Sequence, residues 1–124
     1  MRLEVKYNPT GFLIPFDMSQ VPFAPKRSFF VKNNNANDTR GRHAHQGEEH
    51  FLICLNGSVN VEKEDKRGTD KFTLGQGDTY YQKELEWLTI EYLEENTCLL
   101  VFADCLYTES NYIRDYDQFK TIIS

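Results

Sequence analysis

Three histidines fall within eight residues, at His43, His45 and His50, and there are no others in the chain. If Arg42 to His45 is extended, His43 and His45 share one face about 6–7 Å apart, and Ala44 turns to the other face, where a small residue can pack. An imidazole titrates near neutral pH, so a same-face pair is suited to moving protons or to holding a metal. In the metal reading, His43, His45 and either Glu49 or His50 supply the donors. No histidine follows His50, so a late ligand would have to be a carboxylate. In the second reading one or both histidines act as metal-free acid and base. Two solvated surface histidines are the plain alternative to both.

Basic and aromatic residues surround this block in sequence. Lys26, Arg27, Arg40 and Arg42 lie on either side of a polar loop, Asn33 to Asp38. Guanidinium groups match phosphate and diphosphate oxygens bidentately. With Phe29, Phe30, Tyr80, Tyr81 and Trp87 they point to a pocket for an anionic ligand that contains a ring, although each aromatic alone also fits a core position.

The elements that must position these groups read as strands almost throughout. Leu3 to Tyr7 alternates and stops at the turn Asn8-Pro9-Thr10-Gly11; Phe12 to Phe16 and Lys26 to Lys32 follow, with an extended proline-flanked connector between them. His50 to Leu55 is a continuous apolar run, and Asn56-Gly57 before Val59 and Val61 reads as the clearest hairpin. Lys66 to Thr69 is the next turn, then Lys71 to Leu74 and Thr79 to Tyr81. Glu86 to Leu93 alternates with Leu88, Ile90 and Tyr92 on one face, and Cys98 to Ala103 reads as a buried strand. Only the end is helical: one turn over Glu109 to Arg114, then Tyr116 to Ile123 with apolar residues at helical spacing. About ten short strands and one terminal helix give an all-β jelly-roll barrel in a single domain over residues 1–124.

Composition narrows the function classes. The chain has 124 residues, 40% of them hydrophobic, and a formal net charge of -5. This is enough apolar material for a core and the wrong sign for a general nucleic-acid binder. No apolar run reaches membrane-spanning length, and the start lacks a signal-peptide pattern, so the expected location is cytoplasmic. Cys54, Cys98 and Cys105 have no CxxC spacing. Cys54 and Cys98 read as buried thiols, and Cys105 as a thiol that could be reactive.

Four segments carry a family likeness. Pro22-Phe23-Ala24-Pro25-Lys26-Arg27 followed by Arg40-Gly41-Arg42-His43-Ala44-His45, with Leu55-Asn56-Gly57-Ser58-Val59 and the tail Tyr112-Ile113-Arg114-Asp115-Tyr116-Asp117-Gln118-Phe119, resembles the nucleotide-sugar 3,4-ketoisomerases of the cupin superfamily. The likeness runs from about Asn8 to Phe119. It implies a double-stranded β-helix, no metal or dissociable cofactor, and a homodimer, often with exchanged N-terminal strands. It implies conversion of dTDP-4-keto-6-deoxy-D-glucose to a 3-keto-6-deoxyhexose through an enediol, in deoxysugar biosynthesis for surface glycans such as lipopolysaccharide. By the same likeness His43 is the base and His45 assists it, while Arg27 and Arg40 hold the diphosphate or the enediolate oxygens. Lys26, Phe30, Tyr80 and Trp87 complete the expected substrate site. The chain departs from the family pattern at Asn8-Pro9-Thr10-Gly11, where Asp-x-Arg-Gly is usual, and at Phe29 and Phe30, where tyrosines are usual. It departs again at Trp87-Leu88, where Trp-His is usual. These changes bear on substrate geometry and product stereochemistry. A binding module without turnover and a metal-dependent cupin enzyme are the competing functions.

Overall fold

The structure, a computed structural model, describes residues 1–124. Two antiparallel sheets face one another, and successive strands mostly alternate between them. One sheet has the order β3 (Arg27–Lys32), β10 (Cys98–Ala103), β5 (His50–Asn56), β8 (Thr79–Gln82). The other runs β11 (Tyr112–Ile113), β4 (Thr39–His45), β9 (Trp87–Tyr92), β6 (Val59–Asp65), β7 (Gly68–Leu74). A small hairpin of β1 (Lys6–Asn8) and β2 (Gly11–Leu13) stands apart, and α1 (Tyr116–Ile123) closes the chain. This is the expected jelly-roll, or double-stranded β-helix, with its short terminal helix. No helix is long and apolar enough to cross a membrane.

Three apolar layers explain the strand patterns. Between the sheets lie Leu52, Cys54, Val59, Val61, Leu88, Ile90, Tyr92, Leu99 and Val101. The other face of β5 packs Phe51 and Ile53 against Leu3, Val21 and Phe102, under N-terminal residues that include Ile14 and Phe16. Both faces of β5 are therefore covered, which is why its sequence is continuously apolar rather than alternating. The third layer sets Ala44, Trp87 and Ile113 beneath Phe119 of α1. The helix starts at Asp115, whose side chain accepts from the Asp117 N–H at 2.9 Å. Glu64 on β6 then holds it through Tyr116 at 2.7 Å and Lys120 at 2.8 Å.

The Asn56-Gly57 turn does not form the hairpin expected of it. β5 pairs with β10 and β8, whereas β6 pairs with β7 and β9, so the turn carries the chain from one sheet to the other. Gly57 has φ +76°, and a Cβ there would stand 2.9 Å from Thr97 Cα, so the crossing needs glycine. The real tight hairpin is β6–β7, closed by Lys66-Arg67 between Asp65 and Gly68. Leu3 does not begin a strand. It is a buried anchor whose N–H donates to Gly77 O at 2.7 Å, next to a single antiparallel bridge between Arg2 and Asp78, and the first strand starts at Lys6. The turn expected from Glu109 to Arg114 is a 3-10 turn over Glu109–Asn111 that leads directly into β11.

Candidate active site

β4 does not reach the histidines as a regular strand. Gly41 has φ +90°, and a Cβ on it would meet Leu88 O at 2.8 Å. Arg42 follows with φ +60°. The register against β9 slips between Gly41, opposite Thr89, and His43, opposite Leu88. Arg42 is thus the extra residue of a β-bulge, and bulges re-aim the side chains that follow. Past it, His43 and His45 turn inward together with ring centroids 4.9 Å apart, and Ala44 faces out, fully buried under α1. The same-face pairing and the need for a small residue between the two histidines both hold.

His43 opens into a cavity of about 540 Å³ between the sheets. Its floor is apolar, with Phe29, Val31, Leu52, Leu88, Ile90, Leu99 and Val101; Arg27, Arg40, Tyr107, Tyr112 and Arg114 supply the polar wall. Burial lowers the His43 pKa below the ordinary histidine value, and Arg114 and His50 lower it further against the pull of a Gly41 backbone bond and Glu48. The ring is therefore neutral near pH 7 and able to accept a proton.

His45 sits differently. It does not line the cavity; it is fully buried among the rings of His43, His50 (4.1 Å) and Tyr112 (4.7 Å), and neither of its nitrogens has a partner. Burial, reinforced by His50 and His43, holds its pKa down at about 3.

The group that organises the wall is Glu48. It is fully buried in the β4–β5 connection and accepts from Arg27 Nη2 at 3.2 Å, from Tyr112 Oη and Asn111 Nδ2 at 3.3 Å each, and from His50 Nε2. Burial alone would raise its pKa, but the bonds from His50, Asn111 and Cys105 bring it to about 2, so it is a carboxylate at neutral pH. Arg27 also donates to Tyr112 Oη at 2.9 Å and Cys105 O at 3.2 Å, and its guanidinium lies over the Phe29 and Tyr107 rings. Burial would lower its pKa, but Tyr112 and Glu48 outweigh burial and raise it. Arg40 reaches the cavity from the exposed part of β4.

His45, Glu48 and His50 place three donor atoms within 4.8 Å of one another, compact enough for a metal. Arg27, however, puts a positive charge 3.2 Å from the Glu48 oxygen, and that carboxylate is already filled by its own N–H and O–H donors. Glu48 pairs with Arg27, His50, Tyr112 and Asn111, while both His45 nitrogens stay without a partner. Glu49, the other carboxylate considered for such a set, instead accepts from Tyr81 on β8.

The model of the FdtA (WxcM-like, C-terminal) family matches residues 2–124. The chain belongs to the FdtA family. It is 32% identical over 116 residues to the TDP-4-oxo-6-deoxy-α-D-glucose-3,4-oxoisomerase of Aneurinibacillus thermoaerophilus, covering 92% of this chain and 84% of that one. It superposes with a TM-score of 0.85 on QdtA, a sugar 3,4-ketoisomerase from Thermoanaerobacterium thermosaccharolyticum solved with TDP, at 29% identity over 98% of this chain and 90% of that one. With the WlaRB TDP-quinovose 3,4-ketoisomerase of Campylobacter jejuni the TM-score is 0.80 at 31% identity, over 95% and 92% of the two chains.

Of the residues expected at the substrate site, this FdtA-family chain brings His43, Arg27 and Arg40 to the cavity, with His45 packed behind them. The other four lie elsewhere. Lys26 is exposed and engages Ala103 O through its backbone N–H at 2.9 Å. Phe30 is 69% exposed, because alternation on β3 gives the cavity to Phe29 and Val31. Tyr80 stacks on Phe72, with ring centroids 4.9 Å apart, and donates its hydroxyl to the buried Glu86. Trp87 lies under α1, 5.4 Å from the Phe119 ring. Cys105 is half-buried, and its thiol is pushed up to about 11 by burial and the neighbouring Glu48. It is a weak nucleophile rather than a reactive one. The sequence reading assigned no substrate role to His50, Glu48, Tyr112 or Arg114. Glu48 and His50 stand two apart beside the His43/His45 pair, and that spacing was the available signal.

Proposed function

We propose that the chain is an isomerase, a TDP-sugar 3,4-ketoisomerase that converts TDP-4-keto-6-deoxy-D-glucose to a TDP-3-keto-6-deoxyhexose. The observation that carries this is a neutral histidine, His43, opening into an apolar cavity flanked by Arg27 and Arg40, in a chain whose FdtA-family relatives bear that activity in their names. Moving the carbonyl from C4 to C3 removes the C3 proton beside the ketone and adds one at C4. His43 is the base for the first step and the donor for the second. Arg27, deep in the wall, faces the developing negative charge on the enediolate oxygens. Arg40, at the exposed rim, binds the diphosphate. His45, edge-on to His43 and neutral, supports that ring's position. The pathway served is the making of deoxysugars for surface glycans such as lipopolysaccharide, and a cytoplasmic location goes with a nucleotide-sugar substrate.

A homodimer fits the exposed apolar residues of the β1–β2 hairpin (Tyr7, Phe12 and Leu13) together with exposed Phe30 on the edge strand β3. Light scattering should return twice the chain mass.

The function is tested by incubating the chain with TDP-4-keto-6-deoxyglucose and following the sugar by NMR. Appearance of the 3-keto product, and its loss in His43→Asn, supports the reading. TDP binding without any product would make the chain a nucleotide-sugar-binding module, and stoichiometric Zn, Fe or Mn essential for turnover would overturn the metal-free mechanism.

A further inference from the structure

The cavity wall is rich in donors and short of neutral acceptors. Arg27, Arg40 and Arg114 only donate, and the Tyr112 hydroxyl is already engaged by Arg27 and Glu48. Sugar hydroxyls also carry hydrogens to give, so a hexose in this cavity needs an acceptor that the arginines cannot supply. Gln82 is the one amide among the lining residues. It ends β8 directly across from His50 on β5, and this register turns both side chains to the cavity.

Glutamine is rarely buried, yet Gln82 is only 2% exposed, and just one end of its amide is paired. Nε2 donates to Glu86 O at 3.1 Å. A carbonyl oxygen only accepts, so the amide cannot flip without losing that bond, and Oε1 is held on the other side. Glu86 is itself buried. Its side chain accepts from the Tyr80 hydroxyl, and Tyr80 packs on Phe72 with ring centroids 4.9 Å apart, so the carbonyl that anchors Gln82 is fixed in turn. Oε1 accepts no hydrogen bond, but unlike the His45 nitrogens it is not sealed within the protein. Because Gln82 lines the cavity, that is where the oxygen opens.

Resting on the ketoisomerase reading, we propose that Gln82 is a specificity-determining residue. Its Oε1 accepts a hydrogen bond from the C2 hydroxyl of the bound 4-keto-6-deoxyhexose, and so selects sugars that carry that hydroxyl over 2-deoxy sugars.

The substrate ring has free hydroxyls at C2 and C3. The C3 hydroxyl gives up its proton when C3 becomes the carbonyl, and an amide oxygen is too weak a base to take it. The C2 hydroxyl keeps its proton in substrate, enediol and product, so a fixed neutral acceptor can hold it throughout. A bond held equally in all three states strengthens binding without speeding the chemical step. A 2-deoxy sugar would leave Oε1 without a partner where the ligand has displaced water, as a site built around a hydroxyl rejects the analogue that lacks it.

Calorimetry with ligands that lack the ketone tests this apart from turnover. The probes are TDP, TDP-6-deoxyglucose and TDP-2,6-dideoxyglucose. Wild type is expected to bind the 6-deoxy sugar about tenfold more tightly than the 2,6-dideoxy sugar, the worth of one neutral hydrogen bond. Gln82→Leu and Gln82→Met are expected to hold TDP itself within about twofold of wild type, and to bind the two sugars alike, both at the weaker affinity. With TDP-4-keto-6-deoxyglucose these variants should raise KM about tenfold while kcat falls by less than about threefold. Urea unfolding midpoints show which variants fold, and the wild-type preference needs no variant at all. Equal wild-type affinity for the two sugars overturns the assignment, and so does a preference that persists in a folded Gln82 variant. Absence of 3-keto product from TDP-4-keto-6-deoxyglucose would overturn the ketoisomerase reading alone, since the sugar preference is measured by binding.

Discussion

His45 gives the site a cost that can be measured without substrate. Its ring is fully buried, both nitrogens lack partners, and its pKa falls from the ordinary 6.5 to about 3 on folding. A histidine with a depressed folded pKa stabilises the fold above its unfolded pKa, and that contribution is lost as pH falls toward the folded value. In the unfolded chain the ring takes up a proton below about pH 6.5, whereas in the folded chain it does not until about pH 3. At about 1.4 kcal/mol per pH unit, His45 alone removes about 3 kcal/mol of stability between pH 6.5 and 4.5. That is a large share of the 5–15 kcal/mol that holds a typical domain together. His45→Leu removes the titration together with two unsatisfied polar atoms. It is expected to change stability by less than about 1.5 kcal/mol at pH 7.5, since the volumes are close. Urea unfolding of both proteins from pH 7.5 to 4.5 should show wild type losing about 3 kcal/mol more than the variant over that span. His43 and His50 titrate in both proteins, so the difference isolates His45. Parallel stability profiles would refute the reasoning, because they would mean that the buried ring already carries its proton or is solvated.

Three further outcomes follow from the geometry. Phe119→Ala empties the layer between α1 and Ala44 and should cost about 3–5 kcal/mol, seen as a melting point lower by roughly 10 °C or more in thermal unfolding. Arg40→Ala at the cavity rim should weaken TDP binding about tenfold in calorimetry, with kcat largely kept. Cys105 should alkylate slowly at pH 7.5, because burial and Glu48 hold its thiol near 11, and Glu48→Gln should speed the reaction with iodoacetamide as followed by mass spectrometry.

How much of this was legible beforehand depended on which physical signal each residue carried. The terminal helix Tyr116–Ile123 and the strand Cys98–Ala103 match the periodicity reading to the residue, because each buries one consistent pattern. Ala44 was legible from alternation alone: a small residue between two histidines must face something close, and α1 is there. Asn56-Gly57 was not legible as a crossing. Turn chemistry says where a chain reverses but not which sheet receives it, and the close approach to Thr97 that demands Gly57 is long-range. Phe30, Tyr80 and Trp87 were placed at the site on residue type, and type does not report which face of a strand a ring occupies. Lys26 was placed there by its neighbour Arg27, and alternation sends the two side chains to opposite faces. Glu48 escaped, and His50 was read only as a possible metal donor, because the partners of Glu48, Arg27, Asn111 and Tyr112, arrive from distant parts of the chain. Only the folded barrel converts a loop glutamate into the fully buried carboxylate at the centre of the wall.

The most direct measurement is incubation of the wild-type chain with TDP-4-keto-6-deoxyglucose in heavy water, with the sugar followed by NMR over time. A ketoisomerase working through His43 incorporates deuterium at C3 and yields the 3-keto isomer, and both signals disappear in His43→Asn. Tight binding of the nucleotide sugar with protium retained at C3 and no 3-keto product would contradict it.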